Sequence, residues 1–310
     1  MIQNFIIIFC LLFLVNLIIY FNFNKISSKI NIFDNPDKKR KIHKKPIPAI
    51  GGCLIFFNLS LVYLYNYFFS FIDYNITYLF LFSSIIFFIF ILDDKYNLSP
   101  NIKFFGIAII LSIFMLIDES FLIERLYFNS LELELALHDY SFTFTLLCLL
   151  LYINAVNMFD GVNLQASSYM LYVFIYLISN LIYPNLLMIL LIPLIYFIYL
   201  NYSNRLFLGD NGSCLLAFII SYIIITYNNS QLNIDVEKIF LLMFLPGVDM
   251  LRLFIYRVYN KRHPFKADQK HIHHLLLKKF SKTGYFLIIQ FFLLSPVLLM
   301  DTYNNLILII

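Results

Sequence analysis

Residues 5–20 read FIIIFCLLFLVNLIIY, an apolar run without a single charged side chain. A helix needs roughly 17 to 25 mostly apolar residues to cross the hydrocarbon core of a bilayer. Nine further runs of similar character follow along the chain, so the sequence predicts about ten transmembrane helices. The ten predicted spans cover residues 5–20, 51–72, 76–92, 104–117, 142–156, 164–183, 185–200, 213–227, 238–256 and 285–300.

The composition of the whole chain agrees with this interpretation. Hydrophobic residues make up 61% of the 310 residues and charged residues 13%, against roughly 25% charged residues in soluble domains. A soluble globule of this length could not bury so much apolar surface. Since no polar linker divides the chain, we expect an all-α, polytopic membrane bundle that forms a single domain over residues 1–310.

The basic residues indicate how this bundle is oriented. If ten spans alternate across the bilayer, 20 of the 22 Lys and Arg residues fall in loops on one side. Loops rich in Lys and Arg stay in the cytoplasm, so this side is predicted to be the inner face. Because the basic residues are divided among loops between apolar spans, the expected partner is the lipid bilayer, and a basic surface for nucleic acid is disfavoured.

One outer loop, residues 118–141, is longer than the others. It contains Leu131-Glu132-Leu133-Glu134-Leu135, an alternation of period two that is typical of a β-strand. A turn signal at Asn129-Ser130 separates this stretch from residues 123–128. The sequence therefore predicts a small β-hairpin on the outer membrane surface.

Polar residues concentrate at four places on the predicted inner face. The first is the basic segment 34–52, in which Arg40 and His43 precede two prolines and the pair Gly51-Gly52. Prolines stiffen the chain and paired glycines let a backbone approach a ligand closely, which favours a phosphate site. The alternative is a juxtamembrane basic cluster that contacts anionic lipid head groups or sets the topology.

The second place is the pair Asp93-Asp94, at the inner end of the third span. Two adjacent carboxylates at a membrane boundary repel each other and lose hydration, so they need a metal ion, a cationic partner or water. A helix C-terminus, whose dipole is negative, adds to this cost. We expect the two carboxylates to bind a metal ion or to act as a general base. The alternative is that they only form the polar end of a membrane helix.

The third place consists of two turns, one after the fifth span and one before the eighth. In the first turn Asn154, Asn157 and Asp160 are spaced by three residues and would share one face of a helix. In the second turn Asp210 is flanked by glycines, which expose its carboxylate. Hard oxygen ligands of this kind suit Mg²⁺, which usually bridges one or two carboxylates to substrate phosphates. The same residue types are also common in ordinary turns.

The fourth place combines Asp249 and Arg252, three residues apart inside the ninth span, with His271, His273 and His274 in the loop that follows. An ionisable pair inside the membrane is a functional hypothesis by default, and a structural ion pair is the alternative. The histidines could form a zinc site, but no Cys or acid completes a ligand set at a familiar spacing. Hydrogen bonding of the histidines to phosphate fits equally well.

Taken in order, these motifs resemble those of the polyprenyl-phosphate N-acetylhexosamine-1-phosphate transferases, relatives of the phospho-N-acetylmuramoyl-pentapeptide transferase. The similarity covers nearly the whole chain. Its motifs are Arg40-x-x-His43-x-x-Pro46-x-Pro48-x-x-Gly51-Gly52, Asp93-Asp94, Asn154-x-x-Asn157-x-x-Asp160-Gly161, Phe207-x-Gly209-Asp210-x-Gly212, Asp249-x-x-Arg252 and His271-x-His273-His274.

The resemblance implies a reaction at the cytoplasmic face of a bacterial inner membrane. The phosphate of undecaprenyl phosphate would attack the β-phosphorus of a UDP-N-acetylhexosamine and give undecaprenyl-diphospho-sugar and UMP, the first membrane step of a cell-surface glycan pathway. Mg²⁺ is the implied cofactor, with Mn²⁺ as an alternative. A homodimer is compatible with the resemblance.

The resemblance also implies roles for individual residues. The implied catalytic residues are Asp93, Asp94, Asp160 and Asp210, of which Asp210, Asp93 and Asp94 would hold the metal. The implied substrate-binding residues are Arg40, His43, Asn154, Asn157, Asn163, Phe207, Asp249, Arg252, His271, His273 and His274, and Phe207 would stack on uracil. Asn163 stands where the muramoyl branch often carries a second Asp, so no carboxylate role is implied there, although an amide can read a uracil edge.

A transporter or flippase for an anionic solute is the alternative function, with Asp249 and Arg252 as its midplane site. It is disfavoured because the outer halves of the predicted spans are nearly free of charge. A purely structural or lipid-binding membrane protein is disfavoured by the clusters of His and Asp.

Overall fold

Long apolar helices account for most of this computed structural model, which describes residues 2–36, 45–72, 76–231, 234–261 and 270–307. In chain order the helices are α1 Ile2–Ile30, α2 Gly51–Phe69, α3 Thr77–Tyr96, α4 Pro100–Ile117, α5 Ser141–Phe159, α6 Gln165–Ser179, α7 Pro184–Tyr202, α8 Asp210–Gln231, α9 Val236–Tyr259, α10 Ile272–Leu277 and α11 Lys282–Ile307.

Nine of the described helices are long and apolar enough to cross a membrane, namely α1 to α5, α7 to α9, and α11. The predicted all-α, multi-pass bundle is thereby confirmed. Each of the ten predicted spans falls on a helix, but the sixth span is the 15-residue helix α6. At 1.5 Å per residue α6 measures about 22 Å, which is shorter than the roughly 30 Å hydrocarbon core.

The described helices form two compact units. Unit 1 consists of Met1–Lys103 and Ala166–Ile223, and unit 2 consists of Phe104–Gln165 and Ile224–Ile310. The chain therefore passes from one unit to the other three times. That residues 1–310 form a single domain stays a prediction.

In unit 1, helix α2 packs against α1, α3 and α7. Asn16 of α1 and Asn58 of α2 are both fully buried and exchange two side-chain hydrogen bonds of 3.0 Å. Each amide thus satisfies the other in apolar surroundings, where an unpaired amide would be costly. Such pairs stabilise the association of membrane helices.

In unit 2, helix α9 packs against α5 and α11, and the short helix α10 packs against α11. The sequence predicted a loop where α10 lies. Six residues are too few to show a helical periodicity, so α10 left no signal in the sequence pattern.

Two short antiparallel sheets complete the described fold. In unit 1, β1 Phe33–Asp34 pairs with β2 Ile47–Pro48, which the sequence did not predict because two-residue strands carry no alternation. In unit 2, β3 Arg125–Phe128 pairs with β4 Leu133–Ala136. This second pair confirms the predicted hairpin, while its place on the outer face stays a prediction.

Candidate active site

Three carboxylates and one ammonium group meet in unit 1. Asp93 and Asp94 lie in the last turn of α3, Lys103 lies in the first turn of α4, and Asp210 is the first residue of α8. The Nζ atom of Lys103 is 2.6 Å from a carboxylate oxygen of Asp93 and also forms an ion pair with Asp210. Among the residues that the structure describes, this carboxylate cluster brings three formal negative charges together with one positive charge, an arrangement that favours a further cation.

Asp94 holds the N-terminus of α8 in place. Its carboxylate accepts hydrogen bonds from the backbone N–H of Asp210 at 3.1 Å, the backbone N–H of Asn211 at 2.9 Å and the side-chain amide of Asn211 at 2.5 Å. The first N–H groups of a helix have no partner within the helix, and a negative charge there also interacts favourably with the helix dipole. Asp94 is therefore a positioning residue for Asp210, a role that the sequence pattern did not indicate.

The side chain of Asp210 is more accessible than that of Asp93. It is 36% exposed, against 7% for Asp93. Asp93 in addition accepts a hydrogen bond of 3.1 Å from the backbone N–H of Leu98, which ties the loop after α3 to the helix. A ligand that approaches this cluster thus meets Asp210 and Lys103 before Asp93.

The glycines beside the carboxylate cluster allow two segments of unit 1 to pack backbone against backbone. The backbone N–H of Gly51 donates to the carbonyl of Phe207 at 2.9 Å. A Cβ atom on Gly52 would lie 2.6 Å from the carbonyl oxygen of Asn211, and Gly209 has a φ of +72°, which favours glycine. The close approach at Gly52 is therefore made to the chain itself, whereas the sequence pattern suggested an approach to a ligand.

In unit 2, Asp249 joins α9 to the segment that begins α10. Its carboxylate, in a residue 2% exposed, accepts hydrogen bonds from Arg252 Nη2 at 2.7 Å and from the backbone N–H of Ile272 at 3.1 Å. The Nδ1 atom of His271 lies 3.0 Å from the same carboxylate. If Nδ1 carries the proton, as this contact favours, the Nε2 atom of His271 is left to interact with a ligand.

The histidines form a stack beside Asp249. The rings of His271 and His273 are nearly parallel, with centroids 5.2 Å apart, and a Cβ atom on Gly161 would overlap the ring of His273. The pKa of His273 is lowered to about 3, mainly because the ring is buried and also because His274 and His271 lie nearby, while Asp249 acts in the opposite direction. His273 is therefore neutral near pH 7.

Three polar atoms near this cluster are buried without a hydrogen-bond partner in the part of the chain that the structure describes: Arg252 Nε, His273 Nδ1 and the hydroxyl of Tyr285. Tyr285, in α11, is 2% exposed and interacts electrostatically with Asp249. Buried polar groups almost always have a partner, which can be a ligand or an ordered water. The arrangement therefore favours a polar ligand at this place. The sequence did not indicate Tyr285 as part of the site, because a single tyrosine in an apolar span is not distinctive.

Most of the other predicted site residues lie at the end of α5 and in the turn that follows it. In α5, the side-chain amide of Asn154 donates to the carbonyl of Leu150 at 2.7 Å, and Asn157 lies one turn later. Asp160 directly follows α5, with its backbone N–H bonded to Val156 and Asn157. The half-buried Asn163 lies in the turn beyond, and the half-buried Phe207 lies in unit 1, before α8.

The structure thus separates the predicted residues into two groups. Unit 1 holds Asp93, Asp94, Phe207 and Asp210, and unit 2 holds Asn154, Asn157, Asp160, Asn163, Asp249, Arg252, His271, His273 and His274. Arg40 and His43 lie outside the described residues. The functional roles of all these residues stay predictions.

The donor atoms of the carboxylate cluster fit a divalent cation. Among the described residues, no group of three His, Cys, Asp or Glu side chains is arranged to hold a metal ion by itself. Mg²⁺ does not require such a group, because it keeps several waters and usually takes one or two carboxylates together with substrate phosphates. The accessible carboxylate of Asp210 suits that mode of binding.

Comparison with known proteins adds a separate observation. Residues 76–228 match the model of glycosyl transferase family 4, and this segment contains the whole carboxylate cluster with Lys103. Relatives named undecaprenyl-phosphate alpha-N-acetylglucosaminyl 1-phosphate transferase come from Salmonella typhi, Escherichia coli strain K12 and Thermotoga maritima. The first two are each 25% identical over 86% of this chain and 75% of their own length, and the third is 27% identical over 86% of this chain and 80% of its own.

Proposed function

The chain belongs to glycosyl transferase family 4, and we propose on that basis that it transfers a sugar 1-phosphate from a UDP-sugar to undecaprenyl phosphate. The names of the relatives give undecaprenyl phosphate as the acceptor and N-acetylglucosaminyl 1-phosphate as the transferred group. We therefore propose UDP-N-acetylglucosamine as the donor. The transporter alternative receives no support from these relatives.

The proposed reaction exchanges one phosphoanhydride bond for another. An oxygen of the lipid phosphate attacks the β-phosphorus of the UDP-sugar and forms a new P–O bond. The bond between the β-phosphorus and the oxygen that bridges it to the α-phosphate breaks, and UMP leaves with the electron pair. Because both reactants are anions, catalysis depends mainly on positioning and on neutralising charge.

The observation that carries this proposal is the carboxylate cluster with its lysine in unit 1. Lys103 contacts both Asp93 and Asp210, so one cationic group already lies among the acids. We propose that Asp210, with Asp93, holds Mg²⁺, which when bound supplies positive charge to the diphosphate oxygens and to the leaving UMP. Lys103 would then shift its ammonium group toward a substrate phosphate, while Asp94 keeps the start of α8 in position.

The cluster around Asp249 in unit 2 is suited to hold phosphate or sugar oxygens. Asp249 fixes the orientation of Arg252 and His271 through two side-chain contacts. A fixed guanidinium group can donate hydrogen bonds to anionic oxygens. The Nε2 atom of an imidazole whose proton is on Nδ1 can accept a hydrogen bond from a sugar hydroxyl. We propose substrate binding as their role, and Asn157 and Asp160 as further contacts to the nucleotide.

We further propose that these site residues act at the cytoplasmic face of a bacterial inner membrane. The support is the division of Lys and Arg between the loops, which places 20 of the 22 on one side of the predicted spans. Basic loops are retained in the cytoplasm.

The direct test of the proposed activity uses the purified full-length protein in detergent. The protein is incubated with undecaprenyl phosphate, Mg²⁺ and a panel of radiolabelled UDP-sugars, and the lipid fraction is extracted. We expect label in the lipid fraction with UDP-N-acetylglucosamine. If no UDP-sugar labels the lipid, the proposed function is wrong.

A further inference from the structure

The β3–β4 hairpin of unit 2 has a continuous apolar face. Cross-strand partners in an antiparallel pair point to the same side of the sheet. The register pairs Leu126 with Leu135 and Phe128 with Leu133, so these four side chains share one face, which we call the leucine face. Leu133 remains 48% exposed and Leu135 46% exposed.

The opposite face of the hairpin, formed by Arg125, Tyr127, Glu134 and Ala136, carries the charged side chains of the two strands. Arg125 and Glu134 form an ion pair of 2.9 Å there, with each side chain about half exposed. The hairpin is therefore amphipathic, with an ion pair on one side and large apolar side chains on the other. Contiguous exposed apolar surface of this kind marks a site of interaction.

The leucine face is held in a fixed orientation, because side chains near the junction of α8 and α9 bind the backbone of the hairpin and of the segment just before it. The amide of Asn228 donates to the carbonyl of Arg125 at 3.1 Å, and the amide of Asn229 donates to the carbonyl of Leu122 at 2.5 Å. The backbone N–H of Ser130 donates to Glu237 at 3.2 Å. These bonds attach the hairpin to two membrane helices.

The segments that flank the hairpin along the chain in unit 2 also expose apolar residues. The hairpin follows α4 and precedes α5, which are both long and apolar enough to span a membrane. At the end of α4, Leu116 is 73% exposed and Ile117 is 54% exposed, and Tyr140, before α5, is 77% exposed. Exposed apolar residues at the end of a spanning helix face lipid, and tyrosine is enriched at the membrane–water interface.

We propose that the leucine face inserts into the interfacial region of the bilayer and contacts phospholipid acyl chains there. The hairpin is not expected to enter the hydrocarbon core, because β4 has no second strand partner among the described residues and unpaired backbone groups are not tolerated in the core. At the interface, water and head groups satisfy that edge, and the ion pair of Arg125 and Glu134 faces water. This contact is independent of the proposed transferase activity.

Tryptophan fluorescence tests this contact cleanly because the chain contains no tryptophan. Leu135→Trp places a reporter on the leucine face, and Glu134→Trp places a matched control on the opposite face, one residue away. Both proteins are assembled in phospholipid nanodiscs and compared in ordinary and brominated phosphatidylcholine. Leu133→Trp repeats the measurement if Leu135→Trp does not fold.

The expected result is a blue-shifted emission for Leu135→Trp that loses most of its intensity in brominated lipid. The emission of Glu134→Trp should resemble that of water-exposed tryptophan and be quenched by iodide. Emission of Leu135→Trp that is water-like and quenched by iodide would overturn the proposal. Blue-shifted emission that brominated lipid does not quench would overturn it as well, because the leucine face would then be covered by protein.

Discussion

The ammonium group of Lys103 lies 2.6 Å from a carboxylate oxygen of Asp93. The two residues are in the first turn of α4 and the last turn of α3, and Lys103 also pairs with Asp210 at the start of α8. A single lysine therefore links three helix ends of unit 1. Its charge offsets part of the repulsion between the acids.

Replacing Lys103 should lower turnover and at the same time strengthen the binding of Mg²⁺. We expect Lys103→Gln to lower the rate of UMP release by about 10²-fold to 10³-fold, the usual effect of removing one positioned electrostatic group from an active site. Since the acids then lack their lysine, Mg²⁺ should raise the melting temperature of the variant more than that of the wild type. The matched control is Lys95→Gln, an exposed lysine at the end of α3. Equal turnover and equal Mg²⁺ response in the two variants would contradict the role assigned to Lys103.

Asp94 and Asp210 should respond differently to substitution. Asp94→Ala removes the acceptor of three hydrogen bonds at the start of α8, and unsatisfied buried donors cost about 1–3 kcal/mol each. We expect a clearly lowered melting temperature together with lowered turnover. Asp210→Ala should abolish Mg²⁺-dependent UMP release and leave the melting temperature in detergent nearly unchanged. Equal melting temperatures for Asp94→Ala and Asp210→Ala would contradict the positioning role assigned to Asp94.

The turn after α5 should not tolerate a side chain at Gly161. A methyl group there would overlap the ring of His273, so Gly161→Ala should displace the histidine stack and lower turnover. Gly247→Ala is the matched control, since no heavy atom lies within 4 Å of a Cβ atom at that position. In the interior of α9, alanine is favoured over glycine by about 1 kcal/mol. Gly161→Ala should therefore lower both the melting temperature and the rate of UMP release. Gly247→Ala should leave the rate unchanged and should not lower the melting temperature. A fully active Gly161→Ala would contradict the packing.

Buried His273 should make the protein sensitive to acid. Its pKa is lowered to about 3 in the folded protein from the ordinary value of 6.5, so protons bind the unfolded chain first as the pH falls. The free energy of unfolding should therefore be fully retained above pH 6.5 and decline between pH 6.5 and pH 3. The groups that face His273 are His274, His271 and Asp249.

The sign of this effect can be measured by melting the protein at pH 7 and pH 5. We expect the loss of melting temperature between the two values to be smaller in His273→Gln than in the wild type. The exposed His138 supplies the control variant, His138→Gln. An unchanged pH dependence in His273→Gln would show that another group is responsible.

The helices and the local pairs could be predicted from the sequence because both depend on residues close together in the chain. Uninterrupted apolar runs indicated the spanning helices, and the spacing of three residues brought Arg252 to Asp249 within α9. The alternation around Leu133 indicated the hairpin. Glycines beside polar residues also marked segments that prove to be closely packed.

The long-range contacts could not be predicted in this way. Lys103 and Asp210 are 107 positions apart, and Asp94 and Asn211 are 117 positions apart. Several lysines are predicted to lie on the same face as the acids. Which of them pairs with the acids depends on where α3 ends and where α4 and α8 begin, and no local pattern specifies that. For the same reason Tyr285 gave no sign that its hydroxyl is buried close to Asp249.

In the proposed reaction the phosphate moves to the lipid together with the sugar. This transfer is tested most directly with UDP-N-acetylglucosamine carrying ³²P in its β-phosphate, incubated with the purified protein, undecaprenyl phosphate and Mg²⁺. We predict that the ³²P appears in the lipid fraction and that an equimolar amount of unlabelled UMP is released. Release of ³²P-labelled UDP together with an unlabelled lipid would contradict the proposed reaction, because the sugar alone would then have been transferred.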